Sequence, residues 1–248
     1  MKTVVYERPA TLLAVPTHYC PGCGHGIAHR LIAEVIAEQD LRGRIIGLAP
    51  VGCAVVAYNY LDIDMSEAAH GRTPAVATGL KRVHPDHIVF TYQGDGDLAA
   101  IGTAEIIHAA NRGELITVIF INNAVYGMTG GQMAPTSILG QRTATSPEGR
   151  DKVREGCPIR VCELLSTLES AVYLERTSVS SPSSVRRTKR AIEKAFRCQE
   201  EKRGFSLVEI LSPCPTYWRM APVAAAKFVD EVMIKTFPLG VYRDWEKA

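Results

Sequence analysis

The feature that most constrains the fold is a pair of turns separated by one strand–helix–strand unit. The first turn, residues 94–97, has the sequence Gly-Asp-Gly-Asp and follows the apolar, β-rich segment 88–92. The second turn, residues 122–127, begins with Asn-Asn and follows the apolar segment 115–121. Such segments predict buried parallel strands, and residues 98–112 between them predict a helix. Both turns should therefore lie at one carboxyl edge of a parallel sheet, where open α/β sheets bind ligands.

The residue types in these turns suit a divalent cation and a phosphate. Asp95 supplies a carboxylate, Asn123 supplies a side-chain amide, and the residues after it expose carbonyl groups. Mg²⁺ prefers such oxygen ligands and is usually held partly by a phosphate. The glycines allow backbone N–H groups to approach a phosphate at the helix start, where we expect Asp97 to be the N-cap. Gly-Asp-Gly alone is more often an ordinary turn, but its register with Asn-Asn favours a Mg²⁺–diphosphate site.

The rest of the chain alternates between predicted strands and helices. Further strands are expected at residues 45–49, 171–175 and 205–211, and further helices at 27–39, 75–83, 159–168, 185–203 and 222–234. Residues 54–66 predict a turn and a partial helix, and residues 127–150 predict a long functional loop or lid. The pattern predicts an α/β protein with a doubly wound, mostly parallel sheet. We expect one domain over residues 1–248, with an N-terminal arm and a C-terminal helical tail.

The composition is that of an ordinary globular protein, with a net charge of +2 over 248 residues. This charge gives no indication of nucleic acid or of a membrane surface, and no apolar run approaches the length of a membrane span. Residues 1–9 lack the apolar region and cleavage site of a signal peptide. We therefore expect a cytoplasmic protein, in which the seven cysteines are metal ligands or free thiols before they are disulfides.

Four of the cysteines stand in turns rich in glycine or proline. Cys20 and Cys23 form a Cys-Pro-Gly-Cys motif, which can form a redox disulfide, bind zinc or bind an iron–sulfur cluster. Cys53 and Cys214 each follow a predicted strand, and strand ends converge at one sheet edge, so all four thiolates could meet. Zinc and a cubane cluster both accept four thiolates, and the residues alone do not decide between them. The remaining cysteines are expected to be core or surface thiols: Cys157, Cys162 and Cys198.

Two histidines, His25 and His70, stand next to glycines in predicted loops rather than on apolar helix faces. Such histidines can contact a phosphate or cofactor, although a solvated loop histidine is as common. Three other histidines do not stand next to glycines in predicted loops: His84, His87 and His108.

The two turns resemble the thiamine diphosphate (TPP) signature, in which Gly-Asp-Gly is followed about one helix and one strand later by Asn-Asn. Residues 125–132, Val-Tyr-Gly-Met-Thr-Gly-Gly-Gln, are similar to the β subunit of the 2-oxoacid:ferredoxin oxidoreductases. The resemblance extends from residue 20 to about residue 242 and implies the diphosphate-binding type of TPP fold. It implies that Asp95, Asn123 and the carbonyl of Val125 bind Mg²⁺. It also implies these cofactor contacts: Val51, Gly52, Cys53, Ala54, His70, Gly94, Gly96, Asp97, Gly127 and Met128.

The resemblance further implies a [4Fe–4S] cluster held by Cys20, Cys23, Cys53 and Cys214, with any further clusters on other chains. The implied reaction is oxidative decarboxylation of a 2-oxoacid with coenzyme A to an acyl-CoA, with electrons passing to ferredoxin. Residues 130–136 and 238–242 look most like the 2-oxoglutarate and branched-chain members. Gly130 stands where some relatives carry a lysine, so electrostatics on the substrate side are expected to differ.

We expect no catalytic side chain on this chain, because TPP enzymes take the ylid-forming glutamate from a separate pyrimidine-binding domain. The resemblance implies an α subunit that carries this glutamate, a γ subunit and a small ferredoxin-like δ subunit. Two alternatives remain: a non-oxidative TPP decarboxylase or synthase subunit, and a zinc-stabilised structural subunit that has lost the cofactor. The four placed cysteines argue against the first alternative.

Overall fold

The computed structural model describes residues 6–247, and within this range seven strands form one sheet. The strands are β1 (Ile45–Ala49), β2 (Asp64–Glu67), β3 (Ile88–Gly94), β4 (Thr117–Asn122), β5 (Ala171–Ser178), β6 (Phe205–Leu211) and β7 (Gly240–Asp244). Their order in the sheet is β2-β1-β3-β4-β6-β5-β7. All neighbours are parallel except β5 and β7, which are antiparallel. This arrangement confirms the predicted mostly parallel sheet.

Helices cover both faces of the sheet, because the central strands are apolar along their whole length. The helices are α1 (His25–Glu38), α2 (Thr73–Val83), α3 (Thr103–Asn111), α4 (Val161–Ser166), α5 (Pro182–Glu200), α6 (Pro215–Trp218), α7 (Pro222–Phe228) and α8 (Ile234–Thr236). Helices α1 and α5 pack on one face, and α2, α3 and α4 pack on the other. Strands β1, β3, β4 and β6 are therefore buried almost completely between two apolar layers.

Several element boundaries differ from the sequence prediction for identifiable reasons. Residues 54–66 contain a short 3₁₀ helix, Ala57–Asn59, and also the edge strand β2, whose polar and half-exposed residues carry no strand pattern. Helix α5 begins at Pro182 rather than at residue 185, because Ser181 is its N-cap and accepts a hydrogen bond from the Ser184 N–H at 3.3 Å. Strand β7 follows the predicted helical segment near the C-terminus and was not predicted.

The helix after the first turn is interrupted, and its predicted N-cap is wrong. It begins as a single π-helical turn, Asp97–Ile101, and continues after Gly102 as α3. Gly96 occupies the cap position without any side-chain capping bond. The Asp97 carboxylate is instead turned toward a different loop, as described below.

The long segment 127–150 is fastened to the body of the protein rather than free above it. Thr136, Ser137 and Arg150 are buried within it. The Arg150 guanidinium donates hydrogen bonds to backbone carbonyls of the same segment and the residues after it: Ala134, Pro135, Ser137, Glu155, Gly156 and Cys157. One side chain therefore organises a loop that lacks regular secondary structure.

The expected N-terminal arm lies partly outside the described residues; within residues 6–24 an isolated bridge pairs Leu12 with Leu61. None of the helices formed by residues 6–247 combines the length and the hydropathy that a membrane crossing requires.

Candidate cofactor and metal site

Asp95 lies at the carboxyl end of β3 and is buried. Its carboxylate accepts hydrogen bonds from the Gly96 N–H at 2.9 Å, the Val125 N–H at 3.1 Å and the Thr136 hydroxyl at 2.8 Å. All three donors are neutral, and burial outweighs them, raising the pKa of Asp95 to about 6. A cation bound beside Asp95 would supply the positive charge that this buried carboxylate lacks.

The second turn begins where β4 ends and is stabilised from several directions. Ala124 has a left-handed backbone conformation, with φ of +57°. The carbonyl of Asn123 accepts a hydrogen bond from the Trp218 indole at 3.1 Å, and the Asn123 side chain accepts one from the Val125 N–H at 3.3 Å. This turn faces Asp95, so the predicted Mg²⁺ ligands converge on one place.

A cavity of about 90 Å³ opens between the two turns. Its lining contains all three predicted Mg²⁺ ligands and the predicted cofactor contacts except Ala54: Val51, Gly52, Cys53, His70, Gly94, Asp95, Gly96, Asp97, Asn123, Val125, Gly127 and Met128. Ala54 is buried in the core and does not line this cavity. The fold therefore brings together residues that are up to 77 positions apart, from Val51 to Met128.

Asp97 holds His70 in place at the edge of this cavity. Its carboxylate accepts hydrogen bonds from His70 Nδ1, the Gly71 N–H and the Gln93 side-chain amide, each at 2.6 Å. The carboxylate is therefore already saturated by protein donors. Because Nδ1 donates to Asp97, Nε2 of His70 is the ring nitrogen that remains for a ligand.

Four cysteines line a second cavity of about 100 Å³: Cys20, Cys23, Cys53 and Cys214. The backbone N–H of Cys23 donates to the carbonyl of Cys20 at 3.0 Å, which closes the Cys-Pro-Gly-Cys turn. Burial raises the pKa of Cys23 to about 11 and those of Cys53 and Cys214 to about 12. Among residues 6–247, no three His, Cys, Asp or Glu side chains converge closely enough for one metal ion. The four thiols lie around one cavity, an arrangement that either a zinc ion or an iron–sulfur cluster can use.

The two cavities have a common wall formed by Cys53, Asn123, Gly127 and Met128. Space is tight there, since a Cβ atom at Gly127 would lie 3.0 Å from the Cys53 sulfur. Gly127 and Cys53 therefore approach each other closely in this wall.

Histidine and tyrosine rings pack behind both cavities. Most of these residues could not be identified as part of a site from the sequence. His25, in the first turn of α1, lines the first cavity and contacts the Tyr92 hydroxyl through Nδ1 at 2.6 Å. Tyr19 lines the second cavity, stacks on His25 at 4.8 Å and contacts His29 Nε2 through its hydroxyl at 2.9 Å. Burial lowers the pKa of both His25 and His29 to about 3, so both rings are neutral.

Comparison with known proteins agrees with this geometry. The sequence profile of the thiamine pyrophosphate enzymes, C-terminal TPP binding domain, matches residues 50–210. A ketoisovalerate oxidoreductase subunit VorA from Methanothermobacter thermautotrophicus is 50% identical over 240 residues, which cover 97% of this chain and 50% of that protein. The chain therefore spans about half the length of this relative. A 2-oxoglutarate synthase subunit KorB from Methanocaldococcus jannaschii is 36% identical over 224 residues, which cover 88% of this chain and 78% of that protein.

Among solved structures, the 2-oxoglutarate:ferredoxin oxidoreductase from Magnetococcus marinus with 2-oxoglutarate, coenzyme A and succinyl-CoA bound has the same fold. The TM-score is 0.76 at 24% identity, and the match covers 98% of this chain and 86% of that chain. The family predicted from the two turns is thus confirmed. The chain belongs to the thiamine diphosphate-binding subunits of the 2-oxoacid:ferredoxin oxidoreductase family.

Proposed function

We propose that this chain is the TPP- and [4Fe–4S]-binding domain of an enzyme that oxidatively decarboxylates a 2-oxoacid with coenzyme A and passes the electrons to ferredoxin. The observation that carries this proposal is the common wall between the two cavities. A site for an organic cofactor and a site for four thiolate ligands lie on opposite sides of Cys53 and Gly127. A non-oxidative TPP enzyme has no use for the second site.

The first cavity suits Mg²⁺ and a diphosphate. Asp95 supplies a buried carboxylate without a cationic partner among its hydrogen-bond donors, and Asn123 and the carbonyl of Val125 complete the proposed oxygen ligands. The backbone around Gly96 and Gly127 lines the space for the diphosphate. When bound, TPP supplies a carbon nucleophile and an electron sink. His70, oriented by Asp97, presents Nε2 as a contact for the bound cofactor.

The second cavity suits the cluster. We propose Cys20, Cys23, Cys53 and Cys214 as its ligands. The high pKa values of the buried thiols mean that the cluster-free protein keeps them protonated and releases protons when iron binds.

The residues at the mouth of the first cavity support contact with a partner subunit. Val51 and Met128 line this cavity and remain 41% and 44% exposed, although both are apolar. Exposed apolar side chains at a cofactor site support contact with the pyrimidine-binding α subunit, or an equivalent domain, which would carry the ylid-forming glutamate. We also propose γ and ferredoxin-like δ subunits as partners, because the relatives are themselves named as subunits.

The lining of the first cavity also bears on the substrate. Among the described residues it includes neither lysine nor arginine, and two of its exposed members, Val51 and Met128, are apolar, while the third, Thr129, is uncharged. The second carboxylate of 2-oxoglutarate would find no fixed positive charge contributed by this chain. A branched-chain 2-oxoacid, such as the ketoisovalerate named in the 50% identical relative, is the substrate that this lining favours.

Anaerobic purification of the assembled complex tests the proposal. We expect iron, labile sulfide and TPP in the protein, together with reduction of a viologen dye that requires both coenzyme A and ketoisovalerate. Zinc without iron would favour the structural alternative, and decarboxylation without dye reduction would favour the non-oxidative one. Faster turnover of 2-oxoglutarate would contradict the substrate assignment alone.

A second experiment tests the partner. The chain is produced alone, reconstituted with iron, sulfide, Mg²⁺ and TPP, and assayed with and without the α polypeptide. We expect turnover only when α is added. A rate comparable to that of the complex without α would show that a catalytic glutamate is present in this chain after all.

A further inference from the structure

A row of buried polar side chains runs beneath the sheet edge and ends at the turn that carries Asn123. Arg176 on β5 and Glu209 on β6 are both fully buried, and Arg176 Nε lies 2.9 Å from Glu209 Oε2. The other oxygen of Glu209 accepts a hydrogen bond from the Asn122 side-chain amide at 2.8 Å. The side-chain carbonyl oxygen of Asn122, Oδ1, in turn accepts a hydrogen bond from the backbone N–H of Ala124 at 3.1 Å.

The far end of this row is anchored by the C-terminal part of the chain and by α4. Arg176 Nη2 lies 2.6 Å from Glu163 Oε2, and Nη1 donates to the carbonyl of Pro238 at 3.2 Å. Tyr242 on β7 contacts the same guanidinium, and its ring centroid lies 4.9 Å from the guanidinium carbon. Arg176 thus has fixed partners on both sides and cannot turn away from Glu209 without losing them.

Stability alone is a poor explanation for this arrangement. The desolvation cost of a buried ion pair commonly cancels its Coulomb attraction, and apolar residues of similar volume are often as stable. The strands that carry the pair also contribute apolar residues to the core, such as Leu174 on β5 and Leu207 on β6. What an apolar replacement could not provide is the two-sided hydrogen bonding of Asn122, which holds Ala124 in its left-handed conformation.

We propose that Arg176, Glu209 and Asn122 form a positioning relay that fixes the turn carrying the Mg²⁺ ligands Asn123 and Val125. The first residue of the Asn-Asn pair is then a support for the turn, and the second is the ligand. This inference rests on the proposed Mg²⁺–diphosphate function of the turn. Groups behind metal ligands typically change metal affinity by about 10- to 100-fold when altered, which sets the size of the expected effect.

A double-mutant cycle between positions 122 and 209 tests the relay. Asn122→Asp places a second carboxylate against Glu209, and we expect Mg²⁺-dependent TPP binding to weaken by about 100-fold. Glu209→Gln keeps an acceptor for Asn122 but removes the charge that holds Arg176, and we expect a loss of about tenfold. In the double variant the new glutamine amide can donate to the new carboxylate, so affinity should recover to within about threefold of the wild type.

Binding is measured on the assembled complex by calorimetry with TPP and Mg²⁺, and the turn itself by fluorescence. The chain has two tryptophans, and Trp218 donates to the Asn123 carbonyl. A Trp245→Phe background therefore leaves Trp218 as the single tryptophan of this chain, and its emission is recorded on the reconstituted chain without partner subunits. Gln199→Leu is the matched control, because Gln199 is an equally buried polar residue that bonds to Val89 and Thr117, away from the turn.

The outcomes separate the relay from a purely structural role. The relay predicts that Gln199→Leu lowers the melting temperature but keeps TPP affinity within about twofold of the wild type, and that the double variant recovers. Equal loss of affinity in Gln199→Leu and Glu209→Gln at matched melting temperature, or no recovery in the double variant, would overturn the relay. If Asn122→Asp fails to fold, the comparison of Glu209→Gln with Gln199→Leu decides. Failure of the wild type to bind TPP with Mg²⁺ would instead overturn the proposed function.

Discussion

The two cavities differ in how much of their geometry exists before anything binds. Around the first cavity, each acidic side chain is fixed: Asp95 by three donors, and Asp97 by His70, Gly71 and Gln93. Around the second, the four thiols come from three separate segments of chain, and no three of the described metal-binding side chains converge on one point. The protein alone fixes the acidic groups of the first cavity, whereas among the described residues the four thiols of the second are not brought together on one point.

The two sites therefore differ in when the free-energy cost of forming the binding geometry arises, during folding or during binding. A preorganised site pays for its geometry during folding, so its ligand binds without further ordering. At the second site Cys23, Cys53 and Cys214 are protonated thiols, so protons must leave when a metal binds there. The variants below either abolish this difference in preorganisation between the two cavities or measure it, beginning with the largest expected effect.

Asp95→Ala should abolish retention of TPP. Mg²⁺ loses its only proposed anionic ligand from the protein, and we expect affinity for TPP to fall by about 100-fold or more. TPP and Mg²⁺ are quantified in the purified complex, with Asp151→Ala on the surface as the control. Stoichiometric TPP and Mg²⁺ in the Asp95→Ala protein would show that the metal site lies elsewhere.

Cys214→Ser should remove the cluster while leaving TPP in place. Cys214 is the ligand most distant in sequence from the Cys-Pro-Gly-Cys turn, and iron content and the electron paramagnetic resonance signal report its loss. Cys198→Ser, a buried cysteine remote from the cavity, is the matched control and should keep its iron. Because the first cavity is preorganised, we expect TPP affinity to change by less than about tenfold. Normal iron content in Cys214→Ser would refute this ligand, and complete loss of TPP would show that the two sites are not independent.

Arg150→Met tests whether the long loop contributes to preorganisation of the first cavity. Six backbone carbonyls lose their buried donor, and we expect the free energy of unfolding to fall by about 3 kcal/mol. Thr136, which donates to Asp95, lies in the same loop, so TPP should bind about tenfold more weakly. Denaturant unfolding and calorimetry measure both effects, with the exposed Arg154→Met as the control. Unchanged unfolding would mean that other contacts hold the loop.

His29→Gln tests the histidine and tyrosine rings behind the second cavity through the pH dependence of stability. Burial lowers the pKa of His29 from 6.5 to about 3, so the unfolded state binds more protons between these values. The stability contributed by neutral His29 is present above pH 6.5 and is lost as the pH falls toward 3. Between pH 7.5 and pH 5 this loss amounts to about 2 kcal/mol for one such group. Urea unfolding at the two pH values should show a smaller difference in His29→Gln than in the surface control His84→Gln; equal differences would contradict a buried neutral ring.

The segments that were predicted correctly from the sequence are those in which the local sequence pattern agrees with the position of the segment in the sheet. Strands β3 and β4 are mostly apolar, and the turns that follow them line one cavity as predicted, whereas the Mg²⁺ ligands assigned to these turns stay a prediction. The four clustered cysteines were found in the same way, from glycine and proline at the ends of strands. Local sequence was sufficient there because each signal lies within a few residues of the atom it places.

The rest depends on partners that are distant in sequence. Asp97 would have been an N-cap by local rules, but His70, 27 residues earlier, donates to it instead. Thr136 reaches Asp95 across 41 residues, and Trp218 reaches Asn123 across 95. Strand β2 is polar because it lies at an edge, so it has no apolar pattern to detect. Contacts of this kind are set by packing, which a single sequence does not display.

The antiparallel seventh strand has a consequence for how the chain is made. During synthesis β5 is complete about 60 residues before β7 emerges, several seconds at ordinary rates of elongation. Throughout that interval one edge of β5 has no neighbour, and Arg176 lacks both Pro238 and Tyr242. An open strand edge is prone to pairing with other nascent chains. β7 then covers this edge, so the interval before it emerges is the period in which β5 can pair with another chain.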